Sequence, residues 1–274
     1  MRKTATAASA GEAPFVLRQD AAAIAVLTLN RPASYNALSS GMMTALQAAF
    51  DGIARDRAIA VVVLRAEGKG FCGGHDLKEL QGRRSDADRG VAFYEALFAQ
   101  CARLMRTIAA LPQPVIAEVQ GAATASGCQL VASCDLAVAG KSARFGVNGI
   151  DAGFFCSTPA VALSRNIGVK KSFELVTTGR LMSADEALAA GLVNRVVADK
   201  ELRDAASGLA AAIAAKSAAV IALGKQAFYR QIELDRETAY DFTAKVMVRN
   251  LMMRDAEEGL AAFIDKRRPK WENR

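Results

Sequence analysis

The chain of 274 residues contains one histidine and one tryptophan, and aromatic residues make up only 6% of it. A single histidine, with no close spacing of cysteine and carboxylate ligands, argues against a metal site. Few aromatics interleaved with basic residues argue against a dedicated nucleic-acid platform, so nucleic acid is not an expected partner. Five cysteines (Cys72, Cys101, Cys128, Cys134, Cys156) form an odd set without a C-x-x-C pair. That usage suits free thiols in a reducing compartment. No apolar run has membrane-spanning length; the nearest, 205–223, is mostly alanine and carries Lys216. Residues 1–13 lack the apolar core of a secretory signal and read as a disordered tail. The expected compartment is the cytoplasm, with the mitochondrial matrix as the alternative if the tail is a short transit segment.

What is present is a large apolar fraction, 52%, beside 23% charged residues, which fits a sizeable core. The formal charge of +7 favours anionic partners. Part of the excess lies in Lys266-Arg267-Arg268-Pro269-Lys270, read either as a solvated tail or as a contact for a polyanionic ligand.

Two glycine-rich turns, about fifty residues apart, dominate the pattern. The first is Gly70-Phe71-Cys72-Gly73-Gly74-His75-Asp76-Leu77, and the second is Gly121-Ala122-Ala123-Thr124-Ala125-Ser126-Gly127-Cys128-Gln129. Each follows an apolar run read as a buried strand, 60–64 and 115–119, and each opens onto a helix. Two such turns can aim two backbone N–H groups at one oxygen, forming an oxyanion hole. Upstream, 23–29 reads as a buried strand, and Ser39 or Ser40 caps a helix through about Arg55. Residues 83–89 read as a mobile charged loop, and a long helix is expected from Val91 to Leu111. After about residue 200 the chain becomes almost wholly helical. This gives a core over 14–200 and a C-terminal helical region over 201–274, whose apolar faces suggest a subunit interface.

Several segments resemble the enoyl-CoA hydratase/isomerase (crotonase) superfamily. They are Asn30-Arg31-Pro32 with Asn36-Ala37-Leu38-Ser39, the Phe71–Leu77 turn, Gly127–Leu130 with Cys134-Asp135, and Thr178-Gly179-Arg180 with Gly191-Leu192-Val193. Within it, 126–135 and 153–159 resemble the branch called enoyl-CoA hydratase domain-containing protein 3. The resemblance implies an α/β fold, a ClpP-like spiral of ββα units. C-terminal helices would assemble a homotrimer, or a hexamer built as a dimer of trimers. It implies an acyl-CoA thioester as ligand, no separate cofactor and no membrane.

It also implies site residues. The oxyanion hole would use the backbone N–H groups of His75 and Ser126. Asn36, Ala37, Leu38, Gly73, Gly74, Asp76 and Leu77 would line the coenzyme A channel with Gly127. Gly149, Cys156 and Ser157 would line the acyl pocket, and Phe263 and Lys266 match positions that contact coenzyme A. Hydratase relatives use two glutamates, which match Gln129 and Gly149 here. Gln129 can hold a water but cannot take its proton. Losing one positioned acid or base typically costs about 10²–10⁴-fold, so weak or absent hydration of the standard kind is expected.

His75 is the remaining acid–base candidate, because histidine ordinarily titrates near neutrality. A Gly-His-Asp in the first turn also resembles methylmalonyl-CoA decarboxylases of the superfamily, although their tyrosine matches Cys156. The alternatives are therefore such a decarboxylase or a non-catalytic acyl-CoA binder. Asp151 is the one further carboxylate near the acyl pocket. Asp76 reads as a helix cap, and Glu118 either faces solvent or pairs with a buried base.

Overall fold

The computed structural model describes residues 13–274 together with the two-residue strand β1 (Lys3–Thr4). The rest of the tail expected to be disordered, 1–2 and 5–12, lies outside the described residues. Lys3 and Thr4 depart from that expectation by pairing antiparallel with the edge of β2 (Val16–Ala21). A free strand edge offers unpaired N–H and C=O groups that such a segment can satisfy.

The strand expected over 23–29 is the second arm of a hairpin. β2 and β3 (Ile24–Leu29) run antiparallel about a tight turn in which Ala22 has φ 52°. Ser39 caps α1 (Ser40–Ala54), accepting from Met42 N at 3.2 Å. The expected stripe Met43, Leu46, Ala49, Phe50 and Ile53 is buried. β4 (Val61–Ala66) then leads to the first glycine turn and α2 (Leu77–Gly82). Residues 83–85 form a short 3₁₀ turn, and α3 (Val91–Ala110) follows. β5 (Val115–Val119) leads through β6 (Ala122–Thr124) into α4 (Ser126–Ser133). β7 (Leu136–Gly140), β8 (Arg144–Gly146), α5 (Ser157–Asn166) and α6 (Val169–Thr178) continue the winding. β9 (Met182–Ser183), α7 (Ala184–Ala190) and β10 (Arg195–Val197) complete it. The C-terminal helices are α8 (Leu202–Ala214), α9 (Ala218–Gln231), α10 (Arg236–Leu251) and α11 (Arg254–Ile264).

Ten strands form two sheets among the described residues. The larger has the order β1-β2-β3-β4-β5-β7-β10 and is parallel from β3 onward; the smaller is β6-β8-β9. The short strands of the smaller sheet carry no alternation long enough to be read from sequence, and it was not anticipated. Side chains alternate across the larger sheet. Val62, Leu64, Val115 and Ala117 face the main core, whereas Val61, Val63 and Ile116 face α8 through Leu202, Ala206 and Ala210. Parallel strands covered on both faces read as continuous apolar runs, which is why β4 and β5 were visible in the sequence. α8, beyond the expected boundary at 200, still packs on the larger sheet.

Glu118 follows the same alternation. It shares the α8 side of β5 with Ile116, is buried, and does not face solvent as one expectation had it. Desolvation raises its pKa, and the positive charges of Arg65 and Arg203 on that side oppose the rise. The apolar run 205–223 is broken between α8 and α9 by a bend of 102°. Among the described residues no single helix is long and apolar enough to cross a membrane. The basic run at 266–270 is folded back rather than simply solvated. Arg267 grips Glu258 with two hydrogen bonds of 2.7 and 2.9 Å, and Lys270 N donates to Glu258 at 2.7 Å.

One buried polar cluster ties the C-terminal helices to the spiral. Lys225 Nζ on α9 donates to Asp135 Oδ2 at 2.7 Å and to the carbonyls of Ile108 and Gln113 at 2.9 and 3.0 Å. Tyr229 Oη donates to Asp135 Oδ1 at 2.8 Å, and Val115 N donates to Oδ2 at 2.6 Å. Burial pushes the Lys225 ammonium pKa down, and the adjacent carboxylate opposes that shift. Lys225→Met should leave a buried carboxylate without its ion-pair partner, at a cost of about 3–5 kcal/mol. Urea denaturation should show that loss, and a smaller one for the double variant Lys225→Met, Asp135→Asn.

Candidate active site

β4 and β5 are parallel neighbours, with Leu64 opposite Ala117. Their carboxyl ends therefore emerge on one edge of the sheet, and so do the glycine turns that follow them. Phe71 N and Cys72 N donate to Ala122 O at 3.0 and 3.1 Å, and Thr124 N donates back to Cys72 O at 2.9 Å. Gln120 Nε2 reaches across to Ala66 O at 2.7 Å. The turns are thus stitched together by a short parallel ladder between Cys72 and Ala123.

The glycines permit this approach. A side chain at Gly127 would overlap the Cys72 carbonyl, and one at Gly121 would overlap that of Lys69. Gly74 has φ +94°, and a Cβ there would lie 2.8 Å from Ala125 Cβ and 3.3 Å from Ser126 N. The backbone just before His75 thus abuts the amide of Ser126. Neither N–H group, that of His75 or that of Ser126, has an acceptor among the described residues. Ser126 opens α4, where the first N–H groups have no intrahelical partner. Ala125 enters that helix at φ 50°, ψ −123°, a conformation costly for a residue with a side chain. The geometry presents two free donors on adjoining turns, one at a helix N-terminus, suited to negative charge.

Other expected residues have varied fates. Asn36 is fully buried, and its carboxamide is committed to scaffolding. Its Oδ1 accepts from Arg31 N at 2.8 Å, and its Nδ2 donates to Glu67 O and Gly70 O at 2.9 and 3.2 Å. Its side chain therefore braces the first turn rather than lining a channel. Leu38 is buried and pairs with the turn, Leu38 N donating to Gly74 O at 2.7 Å. Ala37 is half-buried beside it. Gly73 N donates to Tyr35 O at 2.8 Å. Asp76 caps α2 through Lys78 N and Glu79 N, as its position suggested, and Leu77 is exposed.

Burial moves the His75 pKa below the ordinary value on which the expectation rested. Its ring is largely buried, and desolvation lowers its pKa against the opposing pull of Leu38 O and Glu79. Nδ1 lies 3.1 Å from Leu38 O, and Nε2 is buried without a partner. Gln129 is buried on α4, and its Oε1 accepts from the Cys101 thiol at 3.9 Å. Phe98 and Cys101 on α3, which touch His75 and Gln129, were not singled out from sequence. Periodicity places them on a helix but does not say what that face meets.

Gly149, expected in the acyl pocket, is closely packed. A Cβ at Gly149 would lie 2.6 Å from Cys156 Sγ and 2.7 Å from the Phe154 ring. Cys156 is buried with a raised thiol pKa, a result of desolvation that suits an inert packed thiol. Cys72 and Cys128 are pushed up to about 12 by complete burial. Ser157 begins α5 and is exposed. Asp151 lies against the turn at Gly179, where a Cβ would meet both carboxylate oxygens at 2.9 Å. Phe263 is 85% exposed on α11, which packs on α9 and α10, and Lys266 is exposed beyond it. The protomer does not gather these two residues with the glycine turns. No cluster of three metal-ligating side chains occurs among the described residues.

An interlocked pair of glycine turns at the carboxyl edge of a spiral sheet marks a class of proteins, and comparison with known proteins identifies it. The family described as enoyl-CoA hydratase/isomerase matches residues 19–274, and the chain belongs to that family. Its fold is the crotonase fold. Enoyl-CoA hydratase domain-containing protein 3 from Xenopus laevis is 45% identical over 258 residues, covering 94% of this chain and 86% of the relative. The crystal structure of the human protein of that name superposes with a TM-score of 0.90 at 41% identity, covering 94% of this chain and 100% of that one. An enoyl-CoA hydratase structure from Mycobacterium smegmatis also gives a TM-score of 0.90, at 52% identity over 94% of this chain and 99% of that one.

Gly74→Ala should disrupt the junction, because it adds a methyl group at positive φ against Ala125 and Ser126 N. A stability loss of about 1–3 kcal/mol is expected, measured by thermal denaturation.

Proposed function

We propose that the chain binds acyl-CoA thioesters, with the thioester oxygen accepting hydrogen bonds from the His75 and Ser126 backbone amides. The observation that carries this reading is the meeting of two unpartnered N–H groups on turns locked against each other. Fixed donors of this kind stabilise the negative charge of an enolate without reorganising, and a missing donor typically costs about 10²–10³ in rate. Family membership supports the thioester as ligand.

The same site lacks the pair that hydration uses. A carboxamide stands at 129, and the wall of Cys156 and Phe154 closes against any side chain at 149. Burial lowers the His75 pKa, so its ring takes up a proton less readily than an ordinary imidazole. These features favour weak or absent standard hydration, and they are compatible with binding alone. A decarboxylase of the methylmalonyl-CoA type stays the enzymatic alternative, because carbon dioxide loss generates the enolate without a base. Its weakness is Cys156, a packed thiol where those enzymes place a tyrosine.

Mass spectrometry after incubation with crotonyl-, longer enoyl- and methylmalonyl-CoA separates the readings. Unchanged thioesters that nonetheless bind are the expected result. Rapid gain of water would overturn it, and loss of carbon dioxide would establish the decarboxylase.

We further propose that α9–α11 assemble a homotrimer, alone or paired as a hexamer. Met252, Phe263 and Ile264 are 82%, 85% and 76% exposed in the protomer, and a groove between α9 and α10 is lined by Leu223, Phe228, Val246 and Met247. Sedimentation equilibrium should give a multiple of three chains, and a monomer at micromolar concentration would refute this. The relatives from Xenopus laevis, Rattus norvegicus and Homo sapiens are named mitochondrial, which supports the matrix alternative and lends the cytoplasmic expectation nothing.

A further inference from the structure

α10 and α11 hold to the protomer with almost no apolar core of their own. No residue of α10 is buried, and on α11 only Asp255 and Ala262 are. Leu260, Phe263 and Ile264 of α11 are exposed. A helix ordinarily gains its place by burying an apolar face, so another interaction fixes this pair.

The chain beyond α11 supplies it. Lys266 takes the left-handed conformation at φ 54°, and Arg267 N donates to Ala262 O at 2.9 Å, which ends the helix and turns the chain back. α11 is about 16 Å long, and about five extended residues at about 3.3 Å each retrace that length. The returning segment arrives at the start of the helix, at the buried carboxylate of Asp255. Oδ1 accepts from Glu272 N at 2.7 Å. Oδ2 accepts from Asn273 N at 2.9 Å and from the hydroxyl of Ser217, the cap of α9. Asn273 Oδ1 accepts from Ala218 N at 2.9 Å. Trp271 lies over Gly259, where a Cβ would sit 3.4 Å from the indole, and its Nε1 donates to Ala215 O at 2.9 Å. One carboxylate thus joins α11, the strap of residues 266–274 and the corner between α8 and α9. That corner is itself fixed, because α8 packs on the larger sheet and Lys225 ties α9 to Asp135.

We propose that the strap is a latch with a docked and a released state. Docked on Asp255, it closes the base of an arm made of α10 and α11 and sets the angle of that arm to the spiral. Released, α11 moves on the turn at 252–253 and the pair moves on the turn at 232–235, while the spiral stays folded. The spiral keeps its own apolar core, whereas the arm depends on a few hydrogen bonds to one charged group. Parts with few buried apolar contacts open at lower free energy than the core. Hydrogen bonds to a carboxylate are individually strong, and lifting the strap removes the Glu272 and Asn273 donors together, so release is a discrete step. The arm carries the exposed Met252, Phe263 and Ile264. The latch therefore decides whether those side chains stand in one arrangement for a second copy of the chain. That consequence alone rests on the assembly reading.

The chain has one tryptophan, and it sits in the latch, so its fluorescence follows docking in the unaltered protein. At a fixed protein concentration, urea should shift the Trp271 emission and open it to acrylamide quenching before the far-ultraviolet circular dichroism is lost. Asp255→Asn keeps the size of the side chain but turns an N–H₂ towards N–H donors. It should raise the released fraction about tenfold, the order of one lost hydrogen bond to a charged group, and leave the circular dichroism transition in place. Hydrogen exchange read by mass spectrometry should quicken about tenfold over 236–264 in this variant and stay unchanged in β4, β5 and α4.

If the variant fails to fold, the two transitions of the unaltered protein decide the matter. Coincident fluorescence and circular dichroism transitions would overturn the latch, as would quickened exchange spread equally over arm and sheet. In sedimentation Asp255→Asn should assemble more weakly, and assembly of unchanged strength would overturn the coupling of latch to interface. A monomeric unaltered protein would overturn the assembly reading and leave the fluorescence and exchange tests of the latch as they are.

Discussion

The short ladder between Cys72 and Ala123 is the constraint on which the rest of the site depends. It joins two turns that lie about fifty residues apart in sequence, and only backbone lies between them at Gly121 and Gly127. Side chains there would push the turns apart, and the His75 and Ser126 amides would no longer share a neighbourhood. The ladder depends in turn on β4 and β5 being adjacent and parallel, which delivers both turns to the same edge of the sheet. Ala125 bears the conformational cost, holding a positive φ where the second turn enters α4.

The proposed function separates binding from acid–base chemistry at this junction. In that reading two free backbone donors are kept, and no carboxylate stands at 129 or 149. Gln129 has no proton-accepting carboxylate. A side chain at Gly149 would meet Cys156 and Phe154. His75 is desolvated. On the opposite side of the spiral, the Asp135–Lys225–Tyr229 cluster anchors α9 to the sheet. The exposed faces of α10 and α11 are thereby held at a defined place on the spiral.

Much of this could be read from residues alone. The buried strands appear as continuous apolar runs, the caps at Ser39 and Asp76 appear by residue type and position, and the stripe of α1 appears by helical spacing. The turn glycines were visible by residue type and spacing. The hydrogen bonds of the Asn36 carboxamide could not be read, because a buried carboxamide and an exposed one are the same letter. Glu118 could not be oriented until the alternation of β5 was set against α8. The titration of His75 could not be read because it depends on enclosure by groups remote in sequence.

The sequence by itself determined which segments become strands and helices, and where the chain must turn without side chains. These are local properties of residue type and spacing. Only the tertiary structure decided that the two turns interlock, that Asp135 meets Lys225, and that His75 meets Phe98 while Gln129 meets Cys101. Those outcomes depend on which surfaces meet and which atoms lose water. Burial and partnership belong to the packed chain, not to any residue taken alone.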